Sequence, residues 1–94
     1  MHFVISCTDK PGQPELRQAN RPDHIEYLDR HSDSILAAGP TLSDDAEAPN
    51  GSVLIMEFED LAAARAFAEG DPYNIAGVFE SVSIKPWKKV FPKD

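Results

Sequence analysis

The chain has a single cysteine, Cys7, and few basic residues for its size. One cysteine cannot form a disulfide within the chain, and its neighbours Val4 and Ile5 predict a small buried side chain. This cysteine usage is typical of a reducing compartment. Sixteen acidic and nine basic residues give a formal charge of -7. That balance argues against a nucleic-acid partner, because phosphates require a dense basic surface.

Long apolar stretches are missing too. Nowhere do roughly eighteen apolar residues follow one another, so the sequence predicts no membrane-spanning helix and no membrane partner. The first residues show no basic leader, apolar region or cleavage site, and we therefore expect a cytoplasmic protein. Ninety-four residues suffice for one core, so residues 1–94 are predicted to form a single domain.

The patterns that hold metals, phosphates or covalent intermediates are likewise missing. The chain has no cysteine pair, no His-Glu-x-x-His, no calcium-loop pattern, no glycine-rich phosphate loop and no Gly-x-Ser-x-Gly turn. His24 and His31 lie about 10.5 Å apart along a helix, too far to share one metal ion. Cys7 lies in a predicted strand, where no helix N-terminus activates its thiolate. We expect no bound metal and no cofactor.

Four strands and two helices are predicted. The strands are 3–8, 35–38, 52–59 and 78–87, and the helices begin near residue 15 and span 61–69. Pro22 interrupts the first helical stretch, so we expect a kink or a restart there. Ile25 and Leu28 mark the predicted core side of that helix. Asp60 is a good N-cap for the second helix, and Gly70 is expected to end it.

The order strand, helix, strand, strand, helix, strand predicts an α+β, ferredoxin-like fold. It has a four-stranded antiparallel sheet with two helices on one face. The third strand is apolar on both faces, with Val53 and Ile55 on one and Leu54, Met56 and Phe58 on the other. Because helices cover only one face, we expect a homodimer, or a higher homo-oligomer, that pairs through the sheets. The alternative is that segment 85–93, with Trp87, Val90 and Phe91, folds back over the open face.

Two short motifs place ionisable side chains at predicted helix boundaries. They are Arg-Pro-Asp-His at 21–24 and Gly-Asp-Pro-Tyr at 70–73. An imidazole that meets a carboxylate is the commonest metal-free means of moving a proton near neutral pH. The spacing also places His24, Tyr27 and His31 on one helix face. The sequence therefore predicts a site that includes a histidine and an aspartate.

Each candidate residue also has a structural interpretation. His24 could cap or pack at the first turn of its helix and pair with Asp71 only to satisfy a buried polar group. Arg21 could attract an anionic substrate, but an arginine at a helix start is more often solvated. Tyr27 and Tyr73 could contact a ligand, and Tyr73 could instead pack beneath the Asp-Pro turn.

A longer series of motifs extends over nearly the whole chain. In order, it comprises Arg-Pro-x-His at 21–24, Leu-Ala-Ala-Gly-Pro at 36–40, Glu-Phe-Glu-x-Leu-x-x-Ala-x-x-Phe at 57–67, Asp-Pro-Tyr at 71–73, Ala-Gly-Val at 76–78 and Val-Ser-Ile-Lys-Pro-Trp-Lys-Lys-Val-Phe at 82–91. The series resembles the YciI-like (YCII-related) proteins of bacteria. This resemblance implies a dimeric ferredoxin-like protein, related in architecture to muconolactone isomerases, with a His-Asp active site at His24 and Asp71. One branch of the family is associated with dehydrochlorination of a chlorinated hydroxyhydroquinone.

Two functional classes follow. The first is a cofactor-independent lyase, isomerase or dehydrochlorinase-like enzyme that acts on a small aromatic or enolisable organic anion. His24 would be the general acid or base, and Asp71 would orient it or itself be the base. The second is a non-catalytic small-ligand-binding or assembly module in which the pair is structural. An enzyme predicts an apolar cleft beside His24, reached by Tyr27 or Tyr73, whereas a scaffold predicts a closed, filled site.

Overall fold

The computed structural model of the protein describes residues 1–93. Its elements are β1 (His2–Asp9), α1 (Pro14–Arg30), a 3-10 turn (Ser32–Ser34), β2 (Ile35–Leu42), β3 (Pro49–Glu57), α2 (Leu61–Gly70), α3 (Pro72–Ile75) and β4 (Phe79–Trp87). The strands form one sheet in the order β2-β3-β1-β4, and all neighbours are antiparallel. The predicted ferredoxin-like α+β fold is confirmed. Within the described range, no helix has the length and apolar character needed to cross a membrane.

The core lies on the side of the sheet that faces the helices. Because side chains alternate along a strand, every second residue of β1 and β3 points to that side. These residues are almost fully buried: Phe3, Ile5, Cys7, Leu54 and Met56. The helices add Ala64, Phe67 and Ala68 from α2 and Tyr73 from α3. Of the two predicted faces of β3, the one with Leu54 and Met56 is therefore the buried face.

The opposite face of the sheet has no helix over it. Val4, Val53 and Ile55 are only half-buried there. In the C-terminal segment, Val90 and Phe91 are 61% and 69% exposed, so this segment does not bury them against the sheet. The fold-back alternative is therefore not the arrangement found. Homodimerisation through the open face stays a prediction.

Helix α1 differs in two respects from its predicted form. It runs through Pro22 without interruption, so the expected restart is wrong. Proline removes only the donor to the Gln18 carbonyl, and both residues are exposed, so water can satisfy that oxygen. Ile25 is 37% exposed instead of lying in the core, while Leu28 packs at the edge of the core. The buried residue of α1 is His24.

Helix α2 begins as predicted, but Gly70 at its end has a different role from the expected one. Asp60 caps it, because its carboxylate accepts a hydrogen bond from the Ala63 N–H at 2.8 Å. Gly70 is the last residue of the helix and does not adopt the left-handed conformation that a terminating glycine usually has. A Cβ at position 70 would lie 2.7 Å from the hydroxyl oxygen of Tyr27. Glycine at this position therefore leaves room for the tyrosine.

Gly70→Ala is expected to lower the free energy of unfolding by about 1 to 2 kcal/mol. The added methyl group displaces the Tyr27 hydroxyl, which donates to the Phe67 carbonyl at 2.8 Å, and alanine's better helix propensity offsets only part of that cost. Urea unfolding measures the difference. Gly39→Ala is the matched control, because a Cβ there meets nothing within 4 Å. Wild-type stability in Gly70→Ala would contradict the steric argument.

Candidate active site

His24 and Asp71 meet at the N-terminus of α3. His24 Nδ1 lies 2.9 Å from Asp71 Oδ1, and the two residues are 7% and 3% exposed. The same oxygen accepts the Tyr73 N–H at 2.9 Å, so Asp71 also caps α3. Because a carboxylate can only accept, the bond assigns the proton of a neutral imidazole to Nδ1. Nε2 is then the nitrogen that can take a proton.

A cavity of about 470 Å³ opens beside His24, between α1 and the β2–β3 side of the sheet. Its lining is mainly apolar, with Ile25, Leu28, Ala38, Pro40, Pro49 and Leu54 among its walls. Nε2 of His24 has no hydrogen-bond partner in the described part of the chain. In that same part, every fully buried side-chain nitrogen or oxygen has a hydrogen-bond partner. Nε2 is therefore not fully buried, and His24 is one of the residues that line the cavity.

Tyr73 supports the imidazole. The two rings stack at a centroid distance of 3.9 Å with an angle of 13° between their planes. Tyr73 is 2% exposed and lines the cavity. Burial raises the pKa of its phenol, and the guanidinium groups of Arg17 and Arg21 partly oppose that rise. Tyr73 thus contributes a neutral phenol and a flat surface that fixes the plane of the His24 ring.

Arg17 is a residue of the site that sequence reasoning missed. Its Nη1 donates to both carboxylate oxygens of Asp9 at 2.9 Å, and its Nη2 donates to Ser52 Oγ at 2.8 Å. Its Cζ also lies 4.6 Å from the centroid of the Tyr73 ring. Arg17 precedes His24 by seven residues, which is two helical turns, so both lie on one face of α1. That spacing was the signal that could have found it.

Arg21 and Tyr27, the other two residues predicted to contact a ligand, differ in whether they reach the cavity. Arg21 is exposed and lines the cavity. Tyr27 does not line it, because its hydroxyl donates to the Phe67 carbonyl and its ring packs 4.7 Å from His31 and 5.0 Å from Phe67. Because Gly70 has no side chain, Tyr27 has room to lie against α2. This placement corrects the expectation that Tyr27 reaches the cleft.

Cys7 is buried in the sheet under the site. Burial raises the pKa of its thiol to about 12, and the negative charges of Asp71 and Asp9 add to the rise. The thiol therefore stays protonated near neutral pH and is a poor nucleophile. Across residues 1–93, no group of three His, Cys, Asp or Glu side chains comes together in a way that could hold a metal ion.

The whole arrangement can be compared with known proteins. The chain matches the YCII-related domain over residues 1–88. It belongs to the YCII-related family. It is 45% identical to the protein YciI of Escherichia coli, over 97% of this chain and the full length of that protein. It is 41% identical, with the same coverage, to an uncharacterized protein of Haemophilus influenzae.

One solved structure is similar to the chain in both sequence and fold, and another is similar in fold alone. TftG of Burkholderia phenoliruptrix, a 5-chloro-2-hydroxyhydroquinone dehydrochlorinase in complex with 2,5-dihydroxybenzoquinone, superimposes with a TM-score of 0.87. The sequences are 36% identical, and the match covers 94% of each chain. An antibiotic biosynthesis monooxygenase, at 18% identity and a TM-score of 0.56 over 96% of this chain, shares the fold alone. TftG therefore shows that a protein with this architecture binds a small oxygenated ring.

Proposed function

We propose that this YCII-related protein is a cofactor-independent enzyme that moves protons on a small hydroxylated aromatic or enolisable organic anion. The observation that carries the proposal is the His24–Asp71 pair. Nδ1 lies 2.9 Å from the carboxylate, and His24, whose Nε2 is not fully buried, lines the cavity. This is the arrangement in which an imidazole accepts a proton at one nitrogen while an aspartate stabilises the resulting cation at the other. A positioned base of this kind accelerates proton transfer by about 10² to 10⁴-fold.

The charges around the cavity favour an anionic substrate. Arg17 and Arg21 line it, and none of its lining residues is acidic, although the chain has sixteen acidic residues. The acidic groups next to it, Asp9 and Asp71, are both engaged with cationic or hydrogen-bonding partners. A negatively charged ligand would therefore meet positive side chains and no negative side chain in the lining, on a protein that is acidic as a whole.

Loss of HCl from a chlorinated hydroxyhydroquinone illustrates chemistry that one proton carrier can perform. First, a proton moves from a ring hydroxyl to the chlorine-bearing carbon, which gives a ketone. Chloride then leaves with the electron pair of the C–Cl bond while a second hydroxyl loses its proton. The sum of both steps is the loss of HCl, with no net oxidation or reduction. Nε2 of His24 can take and return the proton in the first step and take it in the second.

One observation favours the second candidate, a ligand-binding or assembly module without catalysis. Asp71 Oδ1 already caps α3 through the Tyr73 N–H, so Asp71 has a structural role whether or not His24 reacts. In that case His24 serves to satisfy a buried carboxylate. Turnover separates this candidate from the enzyme, because both bind a ligand and only the enzyme changes it.

The test is anaerobic incubation of the wild-type protein with 5-chloro-2-hydroxyhydroquinone, and with hydroxylated aromatic acids in deuterated buffer. We expect chloride release from the first compound, or deuterium exchange at ring carbons of the others, above the rate in buffer alone. Ion chromatography and NMR measure the two products. Saturable binding without any turnover would favour the ligand-binding module, and neither binding nor turnover would contradict both candidates for this class of compound.

A further inference from the structure

We propose that the hydroxyl of Ser52 donates a hydrogen bond to an anionic oxygen of the ligand, and that Arg17 is the positioning residue that aims this hydroxyl. The inference rests on the proposed function, because it takes the cavity beside His24 as the ligand site. It adds a binding residue on the sheet, on β3, to the proton-transfer pair on the helices. It also specifies the ligand chemistry as an acidic hydroxyl or enol that binds in its ionised form.

The direction of the hydrogen bond between Arg17 and Ser52 leaves the Ser52 hydroxyl free to donate. A guanidinium has donors only, so Ser52 Oγ must accept in the 2.8 Å bond from Arg17 Nη2. The O–H hydrogen of Ser52 is therefore left to donate elsewhere, and it has no acceptor within the part of the chain that the structure describes. Ser52 is 3% exposed and lines the cavity. A ligand oxygen in the cavity is the acceptor that this geometry leaves open.

The Ser52 hydroxyl is held in place before a ligand arrives. Asp9 binds Nη1 of Arg17 with both oxygens, and the side chains of Asp9 and Arg17 are each 11% exposed. The guanidinium also lies against the ring of Tyr73, on which His24 stacks. These contacts hold Nη2 at the serine, so little conformational freedom is lost when the hydroxyl engages a ligand. The same contacts tie the position of Ser52 to that of the imidazole.

The charges around Ser52 favour a negatively charged ligand oxygen. Asp9 balances the charge of Arg17, and the exposed Arg21 adds a further positive charge to the lining. Because the lining has no acidic side chain, an ionised oxygen at Ser52 meets no negative neighbour among the lining residues. Hydrogen bonds to a charged acceptor are about twice as strong as neutral ones. The site therefore favours an ionised ligand oxygen over the protonated one.

Calorimetric titration with 2,5-dihydroxybenzoquinone tests the inference. Ser52→Ala is expected to raise Kd by about 10 to 100-fold, the loss that removing a hydrogen bond to a charged group produces. Ser52→Thr retains a hydroxyl and is expected to bind close to wild type. Ser83→Ala, on the exposed face of β4, is the control for a serine lost away from the cavity and should leave Kd unchanged.

A second ligand separates a role in binding from a role in folding. In 2,5-dimethoxy-1,4-benzoquinone, methyl groups block both acidic oxygens, so Ser52→Ala should change its Kd far less than that of the dihydroxy compound. Thermal unfolding of each free variant shows whether Ser52→Ala alters the protein itself. A lower Tm together with equal losses for both compounds would overturn the inference, because a purely structural serine behaves in that way.

The remaining outcomes distinguish this inference from the proposed function. Wild-type binding of 2,5-dihydroxybenzoquinone with an unchanged Kd in Ser52→Ala would overturn the role of Ser52 and leave the function intact. If the wild-type protein does not bind the compound at all, the ligand class is wrong, and both proposals fail together. Tight wild-type binding that Ser52→Ala weakens and Ser52→Thr restores would support the inference.

Discussion

Replacing His24 with glutamine is expected to lower kcat/KM by about 10² to 10⁴-fold for whichever substrate the turnover experiment identifies. Glutamine can donate its amide N–H to Asp71 and fill much of the same space, but it cannot take up a proton near neutral pH. The measurement is steady-state kinetics at fixed pH, alongside urea unfolding of the same preparation. The loss should lie mainly in kcat, because the substitution leaves Ser52, Arg21 and the apolar walls of the cavity unchanged.

His31→Gln is the matched control for this substitution. His31 is the C-terminal cap of α1, two turns beyond His24, and its Nδ1 bonds to the Tyr27 carbonyl at 2.8 Å. It does not line the cavity. We expect wild-type kcat/KM in His31→Gln. Equal losses in the two variants would show that the effect comes from disturbing α1, and it would contradict the role of His24 as an acid or base.

The fold was predictable because its main signals are local. The continuous apolar run in β3, the Asp60 cap and the element order each depend on a few neighbouring residues, and they agree with one another. The candidate pair is different, since His24 and Asp71 are 47 residues apart. No periodicity relates positions on separate elements, so the helix-boundary motifs and the family resemblance were needed to associate them.

Tertiary packing accounts for what the sequence did not predict. Pro22 predicts a break in α1, but the helix continues through it, and the Gln18 carbonyl that loses its donor belongs to an exposed residue, where water can bind it. Tyr27 is only three residues from His24 in the sequence, yet its side chain packs on α2, where Gly70 leaves room for its hydroxyl. Asp71 followed by Pro72 is also a helix-start pattern, a cap and then a proline, and it begins the short helix α3 where the Asp-Pro pattern predicts a turn.

The polar character of α1 links the fold to the site. An ordinary amphipathic helix would pack an apolar stripe tightly on the sheet, whereas the buried residue of α1 is a histidine. The arginines and His24 on one side of α1 instead border a cavity against β2 and β3. The helix is thus held in part by the bonds from His24 to Asp71 and from Arg17 to Asp9. Stability and the proposed function therefore involve the same side chains, and a useful variant must separate them.

Asp71→Asn makes that separation, and we expect it to lower kcat/KM by about 10² to 10⁴-fold while the protein stays folded. The amide oxygen of asparagine can still accept the Tyr73 N–H, and asparagine is as good an N-cap as aspartate. The substituted residue is uncharged, however, and cannot stabilise an imidazolium. Because Oδ1 bonds to both the Tyr73 N–H and His24 Nδ1, the asparagine oxygen can keep both bonds, so the variant removes the charge beside the imidazole and leaves its tautomer unchanged.

Asp71→Ala supplies the comparison, because it removes the cap and the partner of a buried imidazole together. We expect this variant to lose about 2 to 4 kcal/mol of unfolding free energy, well beyond the loss in Asp71→Asn. Urea unfolding and kcat/KM are measured for both variants. If Asp71→Asn retains wild-type kcat/KM while Asp71→Ala is unstable, Asp71 only caps α3. If Asp71→Asn is stable and inactive, its carboxylate charge acts on His24, since the cap and the shape of the side chain are unchanged.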